Sequence, residues 1–220
     1  MMEIYNCDFR EQLGHKIDMV ITDPPYNIGF NYSRYTDTLS SDDYVEMLSY
    51  LNHFKSAIIG YAEQSIGYYS LAFGMPDYCL SWCYNSNIPK QFRLVNFYGL
   101  TPDLTKDFQP YKNPTDKRVK KLIEGGREGA RMYSWFSDIQ LVKNVSKEKT
   151  EHPCPIPEKL VERIIKLSNL PLGSVIFDPF MGSGTVGRVA LDMGYDFIGC
   201  EIDNNYFEIA KRRLDANGSR

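Results

Sequence analysis

Short apolar runs that break off at turn residues, alternating with segments of helical spacing, constrain this chain more than any other feature. Asp18-Met-Val-Ile-Thr22 is such a run, closed by Asp23-Pro24-Pro25. Proline cannot donate to a ladder, so the pair ends it, and a run this short fits a strand buried on both faces of a parallel sheet. Ser56–Ala62, Asp77–Tyr84, Ser174–Phe177 and Phe197–Glu201 read the same way, with Glu3–Cys7 a weaker case. Between them lie helical patterns. Ser40-Ser-Asp-Asp43 is a helix start followed by Tyr44, Leu48, Leu51 and Phe54, and Pro157–Leu167 opens on proline and carries Leu160, Val161, Ile164 and Ile165 on one face. Phe9–Leu13 is a short helical link, and Gly184–Met193 and Asn205–Leu214 complete the set. The alternation predicts an α/β fold, a doubly wound and mostly parallel sheet with helices on both faces.

The 220 residues suffice for one such domain and at most a small inserted module. From Asn85 to Lys149 the pattern degrades among Pro89, Pro102, Pro110, Pro114 and Gly125-Gly126. The expected division is therefore a body of residues 1–84 and 150–220 with an insert at 85–149. Charge follows the same division. Residues 86–150 carry thirteen Lys/Arg against seven acids, so a chain of net charge −3 is divided into a +6 middle and a −9 remainder. A basic insert in an acidic frame suggests a local surface for a polyanion, against the plainer reading of a solvated loop face.

Apolar and charged fractions of 43% and 24% exclude a disordered or collagenous chain. No run of eighteen apolar residues occurs, and the opening MMEIYNCDFRE places acids where a leader needs a basic stretch, so neither a membrane span nor a signal peptide is expected and the predicted location is cytoplasmic. Five scattered cysteines without a C-x-x-C pair argue for reduced thiols, against a disulfide framework or zinc ribbon, and no metal is called for.

Two strand ends carry chemistry. Val175-Ile-Phe-Asp178-Pro-Phe180-Met-Gly182-Ser-Gly184-Thr185 passes from strand to helix through two glycines, where the chain turns tightly and a ligand approaches backbone. It lacks the Gly-Lys-Ser/Thr of a phosphate loop and only approximates G-x-G-x-x-G with Gly182, Gly184 and Gly187. The next strand ends in Glu201, a carboxylate placed to accept both ribose hydroxyls of a nucleoside cofactor. The alternative is a structural glycine pair with Glu201 facing solvent.

The other strand end, Asp23-Pro24-Pro25-Tyr26, sets a carboxylate, proline carbonyls and an aromatic face close together. It offers acceptors and no donors, which suits a planar NH₂ group: Asp23 and the Pro24 carbonyl each accept one hydrogen while Tyr26 stacks on the ring. The alternative is a proline turn that merely caps a strand.

With these residues in view, the sequence resembles the amino-group DNA methyltransferases that use S-adenosylmethionine, in the circularly permuted β-class arrangement of a Rossmann-like fold. The likeness rests on Tyr5-Asn-Cys-Asp8, Val20–Ile28, Lys149–Lys159, and Phe177–Thr185 continuing to Asp203. It implies that Phe180, Gly182 and Gly184 line the methionine end, with Asp178 and Thr185 in the same loop, that Glu201 holds the ribose, and that Asp8 meets the adenine amino group. Asp23, Pro24, Pro25 and Tyr26 become the catalytic set. His152 begins a stretch that the family uses near its cofactor, but Cys154-Pro-Ile-Pro departs from the commoner Thr-Gln-Lys-Pro, and His152 reads as structural.

The resemblance further implies adenine N6 methylation of a flipped-out base, since Asp-first motifs accompany adenine and Ser-first motifs more often cytosine N4. DNA is the expected partner, through phosphate contacts from Lys117, Arg118, Lys120, Lys121, Arg127 and Arg131. Tyr133 is a candidate wedge, and Trp135 is expected to pack in the core. The insert is short, so recognition is either brief or shared with a second subunit in a homodimer. Competing readings are a cytosine N4 enzyme, a noncatalytic DNA-binding module lacking one of the two sites, an Asn-Pro-Pro-Tyr enzyme acting on protein or RNA, and a nicotinamide oxidoreductase.

Overall fold

The computed structural model describes residues 1–29, 37–87, 89–142 and 156–216. Its elements are β1 (Met2–Tyr5), β2 (Met19–Thr22), α1 (Ser41–Ser49), β3 (Ser56–Gly60), α2 (Ala62–Gln64) running through a π turn (Ser65–Tyr69) into α3 (Ser70–Phe73), β4 (Tyr78–Cys83) and β5 (Phe92–Tyr98). There follow β6 (Phe108–Gln109), α4 (Lys117–Glu124), β7 (Ala130–Arg131), β8 (Trp135–Phe136), α5 (Glu158–Ser168), β9 (Val175–Asp178), α6 (Thr185–Asp192), β10 (Asp196–Cys200) and α7 (Asn204–Asp215).

Eight strands form one sheet in the order β1-β10-β9-β2-β3-β5-β4-β8, with β5 antiparallel to both neighbours and every other pairing parallel. One face is covered by α5, α6 and α7 through Leu160, Val161, Ile164, Val186, Ala190 and Leu214. The other carries α1 and the π turn through Tyr44, Leu48 and Tyr69. The sheet is thus doubly wound. β2 leads to β3 on one side and β9 to β10 on the other, so the adjacent pair β2–β9 is the point where the winding reverses. Ligands of open α/β sheets gather in the crevice at that point, beyond the carboxyl ends of the strands.

Ser40 caps α1, its hydroxyl accepting from the Asp43 N–H at 3.1 Å, and Pro157 sits at the N-cap of α5. Gly187 of α6 faces β10 so closely that a Cβ there would lie 2.4 Å from the Phe197 ring. Helix and sheet can approach this closely only at glycine.

The boundary expected at residue 85 is corrected. β5 lies inside the central sheet between β3 and β4, and β8 forms its edge, so the portion outside the sheet is roughly 99–134. Arg93 and Asn96 break the apolar pattern of β5, yet both are buried. Asn96 donates to the Ser65 hydroxyl at 2.9 Å and the Ile58 carbonyl at 3.3 Å. Tertiary partners, which residue type cannot announce, make this polar strand an interior one. Trp135 is also corrected: it stands 41% exposed with the Lys112 ammonium 4.5 Å from its ring, and Trp82 is the buried tryptophan. Residues 143–155, with His152, Cys154 and the last three lysines of the basic middle, lie outside the described residues.

Arg163 fastens the projecting portion to α5. Buried, it donates to Asp107 at 2.6 Å, to Asp138 at 2.7 and 2.9 Å, and to the Phe108 carbonyl at 3.0 Å. Despite burial, Arg163 holds the Asp138 carboxyl below its ordinary range. Truncating one partner of such a cluster strands the other charges. Arg163→Ala is therefore expected to cost about 3–5 kcal/mol in urea unfolding and to speed amide exchange at residues 107–109 and 138; exchange unchanged there would show that the insert is held elsewhere.

Candidate functional site

The register Val20↔Phe177 sets β2 and β9 level, so their ends open on one cavity of about 460 Å³. Its wall includes Asp23, Pro24, Pro25 and Tyr26 from the first strand end and Asp178, Phe180, Gly182 and Thr185 from the second, with Glu201 and Asp8 from the flanking strands. The two motifs read from sequence are one site. A direct bond ties them: the Thr22 hydroxyl donates to Asp178 at 2.7 Å, and the Phe180 N–H donates to the same oxygen at 3.2 Å.

On the β9 side the backbone turns through positive φ at Gly182 (51°) and Gly184 (77°), a conformation that Cβ-bearing residues avoid. The Glu201 carboxylate accepts from the Gly182 N–H at 2.9 Å and the Asp203 N–H at 2.8 Å, which orients it and leaves lone pairs toward the cavity. Gly184 is the member of the predicted set that does not line the cavity. It caps α6, and a Cβ there would meet the Ala210 methyl at 3.2 Å, so its role is to seat the loop on α7. Thr185 lines the cavity while its hydroxyl accepts from Arg213 at 3.0 Å. Phe180 rests edge-on against Phe9, ring centres 5.1 Å apart. Asp8 accepts from Arg10 at 2.6 and 2.9 Å, and those bonds hold its carboxyl below the usual range.

On the β2 side, one Asp23 oxygen accepts from the Tyr26 hydroxyl and the other from Arg93 Nη1 at 3.1 Å. Burial pushes the Asp23 carboxyl up, and Arg93 and Tyr26 oppose that push without cancelling it. The Tyr26 hydroxyl is pushed well above its ordinary range, by burial first and by Asp23 next. The two proline carbonyls differ. That of Pro25 accepts from the Tyr44 hydroxyl at 2.5 Å, whereas no donor among the described residues reaches that of Pro24. Downstream, Asn27 is left-handed (φ 54°), and Asp37 accepts from the N–H groups of Asn27 and Ile28 at 2.8 and 3.1 Å, fixing the turn.

Arg93, Asp37 and Tyr61, which also line this cavity, belong to no motif of the sequence. Arg93 counts there as one charge of the basic middle, and only the strand-like spacing of Phe92–Tyr98 could set it apart. The six predicted DNA contacts lie elsewhere. Lys117, Arg118, Lys120 and Lys121 project from α4, which buries no residue, and Arg127 and Arg131 follow, all exposed and none at the cavity wall.

The DNA methylase family profile for N6 and N4 amino-group enzymes matches residues 50–212. The chain belongs to this family. DNA adenine methyltransferase YhdJ of Escherichia coli K12 is 27% identical over 228 residues, 90% of this chain and 76% of that protein. The crystal structure of an M1.HpyAVI–SAM complex superposes with TM-score 0.64 at 23% identity, covering 98% of this chain and all of that one. The cytosine-N4-specific PvuII DNA methyltransferase superposes with TM-score 0.66 at 16% identity, over 97% and 86% of the two chains. This DNA methyltransferase accordingly shares its fold with neighbours that include a cytosine-N4 enzyme. No helix among the described residues is long and apolar enough to cross a membrane.

Asp178 makes the electrostatics of the site measurable. Burial, reinforced by Glu201 and Asp23, raises its carboxyl to about 7, against the pull of Thr22 and the Phe180 N–H. A folded-state value above the unfolded one means that the native protein binds the extra proton between about pH 4 and pH 7, so stability falls as pH rises through that window. Asp178→Asn keeps an acceptor for Thr22 and Phe180 and removes the ionisation. The melting temperature of this variant should exceed wild type by several degrees at pH 8 and converge with it near pH 4, measured by calorimetry; a variant that is less stable at pH 8 contradicts the assignment.

Proposed function

We propose that this methyltransferase moves the methyl group of S-adenosylmethionine to the N6 amino group of an adenine extruded from DNA. The observation that carries the reading is the pairing, on one cavity wall, of a half-buried Asp23 carboxylate with a Pro24 carbonyl that no donor among the described residues reaches: acceptors alone, shaped for a planar NH₂ group. Asp as the first residue of the motif and the adenine activity in the name of the E. coli relative favour adenine over cytosine.

The residues of the β9 side suit the cofactor. Glu201, with its backbone-bonded oxygens, fits a ribose diol, and the positive φ of Gly182 lets a ligand close on the backbone. Asp178, Asp23 and Glu201 give the cavity an acidic lining, the correct sign for a cationic cofactor. Phe180, Asp8 and Thr185 complete this side, and Gly184 acts through the loop's shape. When bound, S-adenosylmethionine supplies an electrophilic methyl group on a sulfonium.

An exocyclic amino nitrogen is a weak nucleophile because its lone pair is delocalised into the ring. By accepting both amino hydrogens, Asp23 and the Pro24 carbonyl favour a pyramidal nitrogen whose lone pair is localised and directed along the cavity. A carboxylate has lone pairs beyond those that Tyr26 and Arg93 occupy, so it can hold the amino group as well. Tyr26, braced edge-on by Tyr61 at 5.1 Å, offers a face on which the base stacks. Catalysis is then positioning plus electrostatics, and the proton lost by the alkylated nitrogen passes to water.

The decisive experiment incubates the protein with DNA and labelled S-adenosylmethionine, digests the product and identifies the nucleoside by mass spectrometry. N6-methyl-2′-deoxyadenosine is expected; N4-methyl-2′-deoxycytidine would assign the other amino group. Asp23→Ala should lower transfer at least about a hundredfold while cofactor affinity holds, since it removes a contact made only to the reacting amino group.

Lys117, Arg118, Lys120 and Lys121, crowded into an eight-residue helix, favour phosphate as their partner, with Arg127 and Arg131 extending the surface. Replacing Lys120 and Lys121 by glutamine should flatten the slope of log affinity against log salt by about 0.9 for each phosphate that is no longer neutralised. An unchanged slope places the helix off the DNA.

A further inference from the structure

We propose that Arg93 is a positioning residue for methyl transfer, its guanidinium fixing both the direction and the charge of Asp23. The inference rests on the role given to Asp23 above and extends it to a residue on a different strand. β5 runs antiparallel to β3 with Gly60 opposite Leu94, so Arg93 lies one residue past the end of β3, at the edge of the sheet that carries the site. From there Nη1 reaches Asp23 Oδ2 at 3.1 Å, on the oxygen that Tyr26 does not use.

The setting of Arg93 carries a cost for the fold, and its ion-pair partner among the described residues is Asp23. The residue is 8% exposed, and the rings of Tyr61, Tyr26 and Trp82 lie 5.3, 5.6 and 5.7 Å from its guanidinium carbon. Its Nε is buried with no hydrogen-bond partner among the described residues. A methionine would fill this place on the strand without a buried charge or an orphan donor, so stability does not account for arginine here.

What arginine supplies is a fixed positive charge against a carboxyl that burial drives toward its neutral form. Among the described residues no other cation pairs with Asp23. Tyr26 donates one hydrogen bond from the same loop, Asp178 on β9 is acidic, and Tyr69 of the π turn is buried and neutral. Tyr84 and Tyr61 face Arg93 itself. An ionised, aimed Asp23 accepts the amino hydrogen; a protonated one is turned from acceptor to donor. The pairing also keeps the guanidinium from opposing the positive charge that reaches the target nitrogen during transfer.

The test follows the titration of Asp23 directly, by ¹³C-carboxyl NMR with Asp23→Asn to assign the resonance, in wild type, Arg93→Met and Arg93→Lys. In Arg93→Met the Asp23 midpoint should rise by about one pH unit or more. The acid limb of kcat should move up by the same amount, so that kcat is depressed most below the shifted midpoint and recovers as the pH rises above it. Cofactor affinity should stay within about twofold. Arg93→Lys, which retains charge but loses the planar fork, should return the midpoint most of the way to wild type. An Asp23 midpoint that is the same in wild type and Arg93→Met overturns the inference, as does a drop in kcat with an unmoved acid limb. A product carrying N4-methylcytosine would overturn the adenine reading and leave this one standing, because the titration does not depend on which base is modified.

Discussion

The pairing of β2 with β9 is the constraint on which the rest depends. It joins segments more than 150 residues apart, Val20 opposite Phe177, and it is where the two halves of the sheet wind away in opposite directions. Because side chains alternate across a strand, a slip of one residue would turn one motif away from the other. The Thr22–Asp178 hydrogen bond, made between the last residues of the two strands, marks the correct register and seats the two motifs on a common wall. Chain order is immaterial to that pairing, which is why the Asp-Pro-Pro-Tyr motif near the start and the glycine loop near the end line one cavity.

The cavity is built against stability. Asp178, Asp23 and Glu201 are all pushed up by burial, and Arg93 is buried with a nitrogen that has no partner among the described residues. Native proteins tend to carry such costs at functional sites, where the unbalanced charge is completed by a ligand. Here the excess is acidic, in keeping with a cationic cofactor and with a target group that brings only hydrogen-bond donors.

Away from the cavity the charge reverses. Arg163 of the acidic body bonds Asp107 of the projecting portion and Asp138 just beyond β8, while α4 carries basic residues outward. A duplex that met α4 would present phosphates to lysines there and a base to the strand ends, a division between positioning contacts and chemistry that protein–DNA interfaces share. Lys112 over Tyr133 and Trp135 adds an exposed aromatic surface where the projecting portion meets the sheet edge at β8.

The short apolar runs and their terminating motifs are legible in the sequence because strand burial and turn chemistry are local properties: Asp23-Pro24-Pro25-Tyr26, the Gly182 loop and Glu201 all stand where the pattern puts them. The interior position of β5 is not legible, because Arg93 and Asn96 look like surface residues until their partners are known. The same holds for Gly184, whose contact is with Ala210 on α7, and for Trp135, whose exposure depends on an edge position. Sequence alone thus determined which strand ends carry acceptors and which carry a ligand-admitting turn. Only the tertiary structure decided that Arg93 faces Asp23 and that one proline carbonyl is spent on Tyr44 while the other is not, since those are pairings between distant segments and no local pattern encodes a distance across the sheet.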